Sequence, residues 1–165
     1  MKIEIRILKV SDVSQEYVDW FSKKEVIRYS HNQYRSFSLE GQKNYVDNCL
    51  NNKNIELYGI FDGKLHLGNI VLDGLCSKHK RAEIKYIIGN TDYWGMGVGS
   101  FAVSKIIEIS KNKHNLNKLF AGVSENNKGS RKVLEKNGFN LEGTRIKHLL
   151  FEGKFQDQLD FGLIL

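Results

Sequence analysis

The sequence predicts an α/β fold of the mixed α+β kind, a central sheet of about seven strands flanked by four helices in a single domain over residues 1–165. Three observations predict it. Short alternating or β-branched segments recur between helical patterns in the order strand, two helices, three strands, helix, strand, helix, two strands. A glycine-rich turn stands between a strand and an apolar-periodic helix. The balance of 41% hydrophobic and 27% charged residues is that of a globular chain able to bury a core.

Each element has its own signal. Ile3, Ile5 and Ile7 alternate with charged residues, so residues 3–9 read as a half-exposed strand. Ser11-Asp12 offers an N-cap to a helix carrying Val13, Tyr17, Val18 and Phe21. Ser38 opens a second helix through Leu39, Tyr45, Val46 and Leu50. Residues 57–61 and 65–72 read as a hairpin around Asp62-Gly63. A loop at 73–81 leads to the strand Ala82 to Ile88. The helix of Phe101, Val103, Ile106, Ile107 and Ile109 follows the glycine turn. Leu119 to Ser124 is a strand, 128–137 a short helix capped by Gly138, and 139–151 and 155–165 two strands joined through Glu152-Gly153-Lys154.

Composition narrows the function classes. No apolar run approaches the roughly 18–20 residues that cross a bilayer, and the N-terminus reads as a strand and not as a signal peptide, so a cytoplasmic location with no membrane partner is expected. Cys49 and Cys76 read as reduced structural thiols, and the five histidines are scattered, so no metal is expected. The net charge of +6 suits nucleic acid, a membrane surface, an anionic small molecule or plain solubility. No recognisable nucleic-acid-reading motif accompanies it, so no nucleic-acid partner is expected.

Tyr93-Trp94-Gly95-Met96-Gly97-Val98-Gly99-Ser100 carries the first chemical signal. The first turn of a helix presents unpaired N–H groups and the positive end of the macrodipole. Glycines let the backbone close on a phosphate from several sides. Inside a helix each would cost about 1 kcal/mol against alanine. An ordinary glycine turn is the plain alternative. The P-loop pattern is not met, and the dinucleotide pattern is met only formally by Gly97, Gly99 and Ala102.

The second signal is Asn127-Lys128-Gly129-Ser130, followed by Glu135-Lys136-Asn137-Gly138-Phe139. With the Trp94–Gly99 turn and Ala82-Glu83-Ile84-Lys85-Tyr86-Ile87-Ile88-Gly89, it resembles the GNAT (Gcn5-related N-acetyltransferase) superfamily, in its RimJ/RimL-like subgroup. The resemblance covers nearly the whole chain. It implies a mostly antiparallel sheet whose fourth and fifth strands splay apart to take the pantetheine arm of acetyl-CoA. It implies that Ile87 and Ile88 pair with that arm, that Trp94, Gly95, Met96, Gly97, Val98, Gly99 and Ser100 hold the pyrophosphate, and that Asn127 and Ser130 touch the cofactor. It also implies a homodimer, although no interface is legible in the residues.

Transfer to an amine sets further requirements. An alkyl ammonium must lose a proton, which costs about 4–5 kcal/mol at pH 7. Glu83 is the expected base, acting through water, and a salt-bridged surface glutamate is the alternative. Ser130 is the expected donor to the departing thiolate, by resemblance, and a helix-terminal serine is the alternative. The carbonyl oxygen needs a preorganised N–H, expected near Ile88. Many relatives carry a tyrosine where this chain has Leu134, which argues against the polyamine-acetylating relatives that keep it. Tyr29, His31, Tyr34 and Arg35 are expected to line the acceptor pocket, and a polar surface loop is the alternative. The expected function is direct transfer to a primary amine, a small molecule such as an amino sugar or nucleotide sugar. N-terminal acetylation of a protein and a non-catalytic acetyl-CoA-binding module are the alternatives.

Overall fold

The computed structural model describes residues 1–165. Seven strands form one sheet: β1 (Ile3–Ile7), β2 (Ile55–Asp62), β3 (Leu65–Cys76), β4 (Arg81–Ile88), β5 (Lys118–Ser124), β6 (Asn140–Phe151) and β7 (Lys154–Ile164). Their order across the sheet is β1-β2-β3-β4-β5-β7-β6. Every pairing is antiparallel except β4 with β5, which is parallel. The mixed, mostly antiparallel sheet expected from the sequence is present.

Five helices accompany it, one more than expected: α1 (Gln15–Asp19), α2 (Lys24–Ile27), α3 (Leu39–Leu50), α4 (Val98–Asn112) and α5 (Lys128–Lys136). The first expected helix is broken. A 3₁₀ turn at Trp20–Ser22 separates α1 from α2, and the cap is Ser14, whose hydroxyl accepts from the Tyr17 N–H at 3.2 Å. Asp12 has other work: it accepts two hydrogen bonds from the Arg6 guanidinium, at 2.6 and 2.8 Å, and one from the Lys9 N–H. Ser38 caps α3 as expected, accepting from the Gly41 N–H at 3.0 Å.

The turns follow backbone conformation. Gly63 opens the β2–β3 turn at φ 59°, and Glu152 and Gly153 both take positive φ between β6 and β7. β3 runs four residues further than expected because Gly74, at φ 63°, absorbs a bulge between Asp73 and Cys76.

Both faces of the sheet are covered. One core gathers Ile60, Ile70, Ile84, Ala102, Ile106, Leu119, Leu134 and Phe161 under α4 and α5. A second gathers Leu8, Tyr17, Trp20, Val46, Leu57 and Phe61 under α1 and α3. Trp20 lies across Gly89, where any Cβ would overlap the indole, so the N-terminal helices are seated directly on the end of β4. No helix is long and apolar enough to cross a membrane.

Candidate active site

β4 and β5 pair over only three rungs, Arg81 with Lys118, Ala82 with Leu119 and Glu83 with Phe120. Beyond Glu83 they part. β4 continues to Ile88 paired with β3 alone, and β5 continues to Ser124 paired with β7 alone. The register decides which backbone groups face the opening. Gly89 donates to the Leu67 carbonyl, so Ile87 exchanges hydrogen bonds with Asn69 on β3, and Ile84, Tyr86 and Ile88 turn their N–H and C=O the other way. On the far wall Glu125 donates to Asp157, so Gly122 and Ser124 face the opening. The result is a wedge lined on both sides by main-chain polar groups. Ile88, one of the two expected positions, presents its backbone to the wedge. Ile87 presents its backbone to β3, and Tyr86 stands where the sequence reading placed Ile87.

The glycine turn closes one end of the wedge. Gly95 (φ 77°) and Gly97 (φ 84°) both adopt the left-handed conformation, and space for a Cβ at either is open. Gly97 is the N-cap of α4 and has no side chain to satisfy the first-turn donors, so the N–H groups of Val98, Gly99 and Ser100 are presented together at the positive end of a fifteen-residue helix. Val98 itself is buried in the core, and Met96 is exposed. Gly99 faces Val133 of α5 and Ile88 of β4, 3.5 and 3.9 Å from the position a Cβ would take. The Trp94 indole donates to the Ile88 carbonyl at 2.9 Å, tying the turn to the wedge. The Ser100 hydroxyl accepts from Asn137 Nδ2 at 3.0 Å, which clamps α4 to α5.

α5 supplies the opposite rim. The Asn127 side chain caps it, accepting from the Ser130 N–H at 3.1 Å, while the Asn127 N–H donates to the Ser124 carbonyl and fixes the end of β5. Ser130 Oγ lies 2.7 Å from the Tyr86 hydroxyl, which also reaches the Ser130 carbonyl at 3.1 Å. Burial pushes the Tyr86 phenol up to about 12, against a smaller downward effect of the Ser130 hydrogen bond. Leu134 is wholly buried, so this position of α5 points into the core and not into the wedge.

Glu83 sits on the last paired rung, where the strands begin to part. Its carboxylate is 3.1 Å from Lys85 Nζ, which also contacts Asp73 at 2.5 Å. Burial works against the charge on Lys85, but Asp73 and Glu83 outweigh it and hold the ammonium above its ordinary range. The loop of Tyr29, His31, Tyr34 and Arg35 is brought against the β6–β7 hairpin tip. Tyr34 donates its hydroxyl to the Leu150 carbonyl, His31 packs edge-on to Phe151 at 5.7 Å, and Arg28 pairs with Glu152 at 3.4 Å. Tyr29 lies beneath the Arg28 guanidinium, and Arg35 is exposed.

The sequence reading missed Tyr86 and Asn137. Tyr86 had a signal: it is the one residue with a polar tip in the stripe Ala82, Ile84, Tyr86, Ile88. Asn137 had none beyond its place before Gly138. No group of three or more His, Cys, Asp or Glu side chains converges as a metal would require.

The chain is 30% identical over 103 residues to the uncharacterized N-acetyltransferase YoaA of Bacillus subtilis (strain 168), covering 62% of this chain and 58% of that one. It is 32% identical over 98 residues to the uncharacterized N-acetyltransferase p20 of Bacillus licheniformis, covering 59% and 54%. The chain thus spans between half and two thirds of the length of these relatives. Among solved structures, RimL, a ribosomal alpha-N-protein acetyltransferase in complex with coenzyme A, superposes with a TM-score of 0.89 at 19% identity, covering 100% of this chain and 95% of that one. The spermidine N-acetyltransferase of Vibrio cholerae in complex with CoA and spermine superposes with a TM-score of 0.86 at 18% identity, covering 98% and 95%. These two likenesses establish the fold. Residues 2–140 match the acetyltransferase (GNAT) domain, and the chain belongs to that family.

Proposed function

We propose that the chain is an acetyl-CoA-dependent N-acetyltransferase that passes the acetyl group directly to a primary amine. One observation carries the reading: two strands part beside a helix N-terminus whose first-turn donors have no side-chain cap and whose flanking glycines leave room for an anion. That cradle fits a diphosphate, and the wedge fits an extended arm bearing amides. Acetyl-CoA supplies the activated acyl group, and the rest falls to this chain.

The N–H groups of Val98, Gly99 and Ser100, with the open backbone at Gly95 and Gly97, hold the diphosphate. The backbone of Tyr86 and Ile88 pairs with the arm, and the Ile88 N–H bonds the thioester oxygen. Glu83 draws the proton from the amine through water, its carboxylate oriented by Lys85. Ser130 bonds the departing sulfur. Neither Cys49 nor Cys76 lies in these segments, so the amine attacks without an acyl-enzyme.

The acceptor is a small primary amine. The contacts of Arg28, His31 and Tyr34 with the hairpin tip strap the acceptor end, which favours a compact molecule such as an amino sugar or nucleotide sugar over a long peptide, and exposed Arg35 offers a grip for an anionic group. The test is mass spectrometry of the chain with acetyl-CoA and mixed pools of amines and peptides. Acetylated small amines are expected. Acetylated peptide N-termini alone would overturn the acceptor assignment. Coenzyme A binding without turnover of any pool would reduce the chain to a binding module.

A further inference from the structure

We infer that Tyr86 is a positioning residue for the thiolate donor: its phenol holds the Ser130 hydroxyl at the wedge and hands it a hydrogen bond when that hydroxyl turns to the departing sulfur. The inference rests on the reading of the wedge as an acetyl-CoA site.

The geometry is that of a two-position donor. The Tyr86 oxygen lies 2.7 Å from Ser130 Oγ and 3.1 Å from the Ser130 carbonyl oxygen, two partners on one residue. A phenol has one proton and can also accept. At rest it donates to the carbonyl and accepts the serine O–H. A rotation about the phenol C–O bond moves its proton to Ser130 Oγ and releases the serine O–H towards the wedge. No heavy atom moves. A hydroxyl that accepts a hydrogen bond is also polarised into a better donor.

The two residues come from opposite sides of the opening. Tyr86 belongs to β4, whose backbone at this position faces the wedge, and Ser130 to the first turn of α5, fixed by the Asn127 cap. Leu134, one turn further along α5, is sealed in the core, so the phenol beside Ser130 is delivered by the strand. The proton stays with the tyrosine throughout. Burial pushes the phenol up to about 12, which favours its protonated, hydrogen-bonding form.

The plain alternative is a brace between β4 and α5 with no part in the reaction. Tyr86→Phe keeps the ring and removes the oxygen. Wild type, Tyr86→Phe, Ser130→Ala and the double variant are compared in two ways. In the first, the thiol of bound coenzyme A is titrated by its ultraviolet thiolate absorbance, which needs no acceptor. The bound thiol is expected to ionise at higher pH in Tyr86→Phe than in wild type, by about half a unit or more, and Ser130→Ala and the double variant are expected to match each other. In the second, Tyr86→Phe lowers kcat about tenfold while the KM for acetyl-CoA stays within about twofold, and the double variant is no slower than Ser130→Ala. An unchanged thiol titration in Tyr86→Phe, or additive losses in the double variant, overturns the inference and leaves the acetyltransferase reading standing. A wild-type chain that binds no coenzyme A overturns both.

Discussion

Gly97 and Gly99 stand two residues apart and respond differently to a methyl group. Gly97 sits at φ 84°, a conformation that costs a residue with a Cβ about 1 kcal/mol or more. Gly97→Ala is expected to lower the thermal midpoint and weaken coenzyme A binding in calorimetry. Gly99 lies inside α4, and its Cβ would meet Val133 and Ile88 at ordinary contact distances. Gly99→Ala is therefore expected to raise stability by about 0.5–1 kcal/mol through helix propensity. Gly99→Leu, which reaches into the space between Ile88 and Val133, is expected to abolish binding, and undiminished affinity would count against the cradle. Glu83→Gln and Ser130→Ala are expected to lower kcat at least about tenfold in the acetyl-transfer assay. The glycines were legible in the sequence because their spacing is unusual for a helix. That Ile88 but not Ile87 turns its backbone to the opening is not legible there, because which alternate carbonyls face it depends on hydrogen-bond pairing with β3. The partnership of Tyr86 and Ser130 was hidden for a related reason: alternation assigns a side chain to a face, not to a partner across a gap.

Among the elements, β3 and β4 constrain each other through main-chain contact. A Cβ on Gly68 would overlap the Ile87 carbonyl oxygen, a main-chain atom that cannot turn aside. Gly68→Ala is expected to cost about 1–3 kcal/mol in urea unfolding and to weaken coenzyme A binding by displacing the end of β4. Asn127→Ala removes the α5 cap and is expected to cost about 1 kcal/mol, with a parallel loss in kcat because Ser130 shares that turn. Caps that obey a simple rule were readable, as Ser38 and Gly138 show. The sequence does not favour Ser14 over Ser11-Asp12, because the competing demand on Asp12, the Arg6 guanidinium, comes from another element. The end of β3 is not legible in the sequence, because Gly74 resembles a loop residue locally and is a bulge only in the presence of β4.

The molecule as a whole couples its N-terminal layer to the wedge through Trp20, Gly89 and His66. His66 is nearly sealed between Phe61 and Trp20, with Nε2 bonded to Gly68 and Asn69, and burial holds its imidazole below the ordinary range. The unfolded chain thus binds a proton that the folded chain refuses, so stability is full above about pH 6.5 and declines below it until the folded group titrates. Asp12 is held low by the Arg6 hydrogen bonds, and its contribution is present above about pH 4 and lost below. A thermal midpoint measured against pH is expected to fall in two stages, the first of them absent in His66→Phe even though that variant is less stable throughout. A single acid transition in both proteins would refute the assignment. The two indoles also differ in setting: Trp20 is sealed at 1% exposure, whereas Trp94 stands 46% exposed with its N–H on the Ile88 carbonyl. Any guest that competes for that oxygen displaces the exposed indole directly, while Trp20, packed on the neighbouring Gly89, stays sealed from solvent. The chain accordingly carries its own optical gauge of occupancy, and Trp94→Phe should remove most of the emission change that coenzyme A produces.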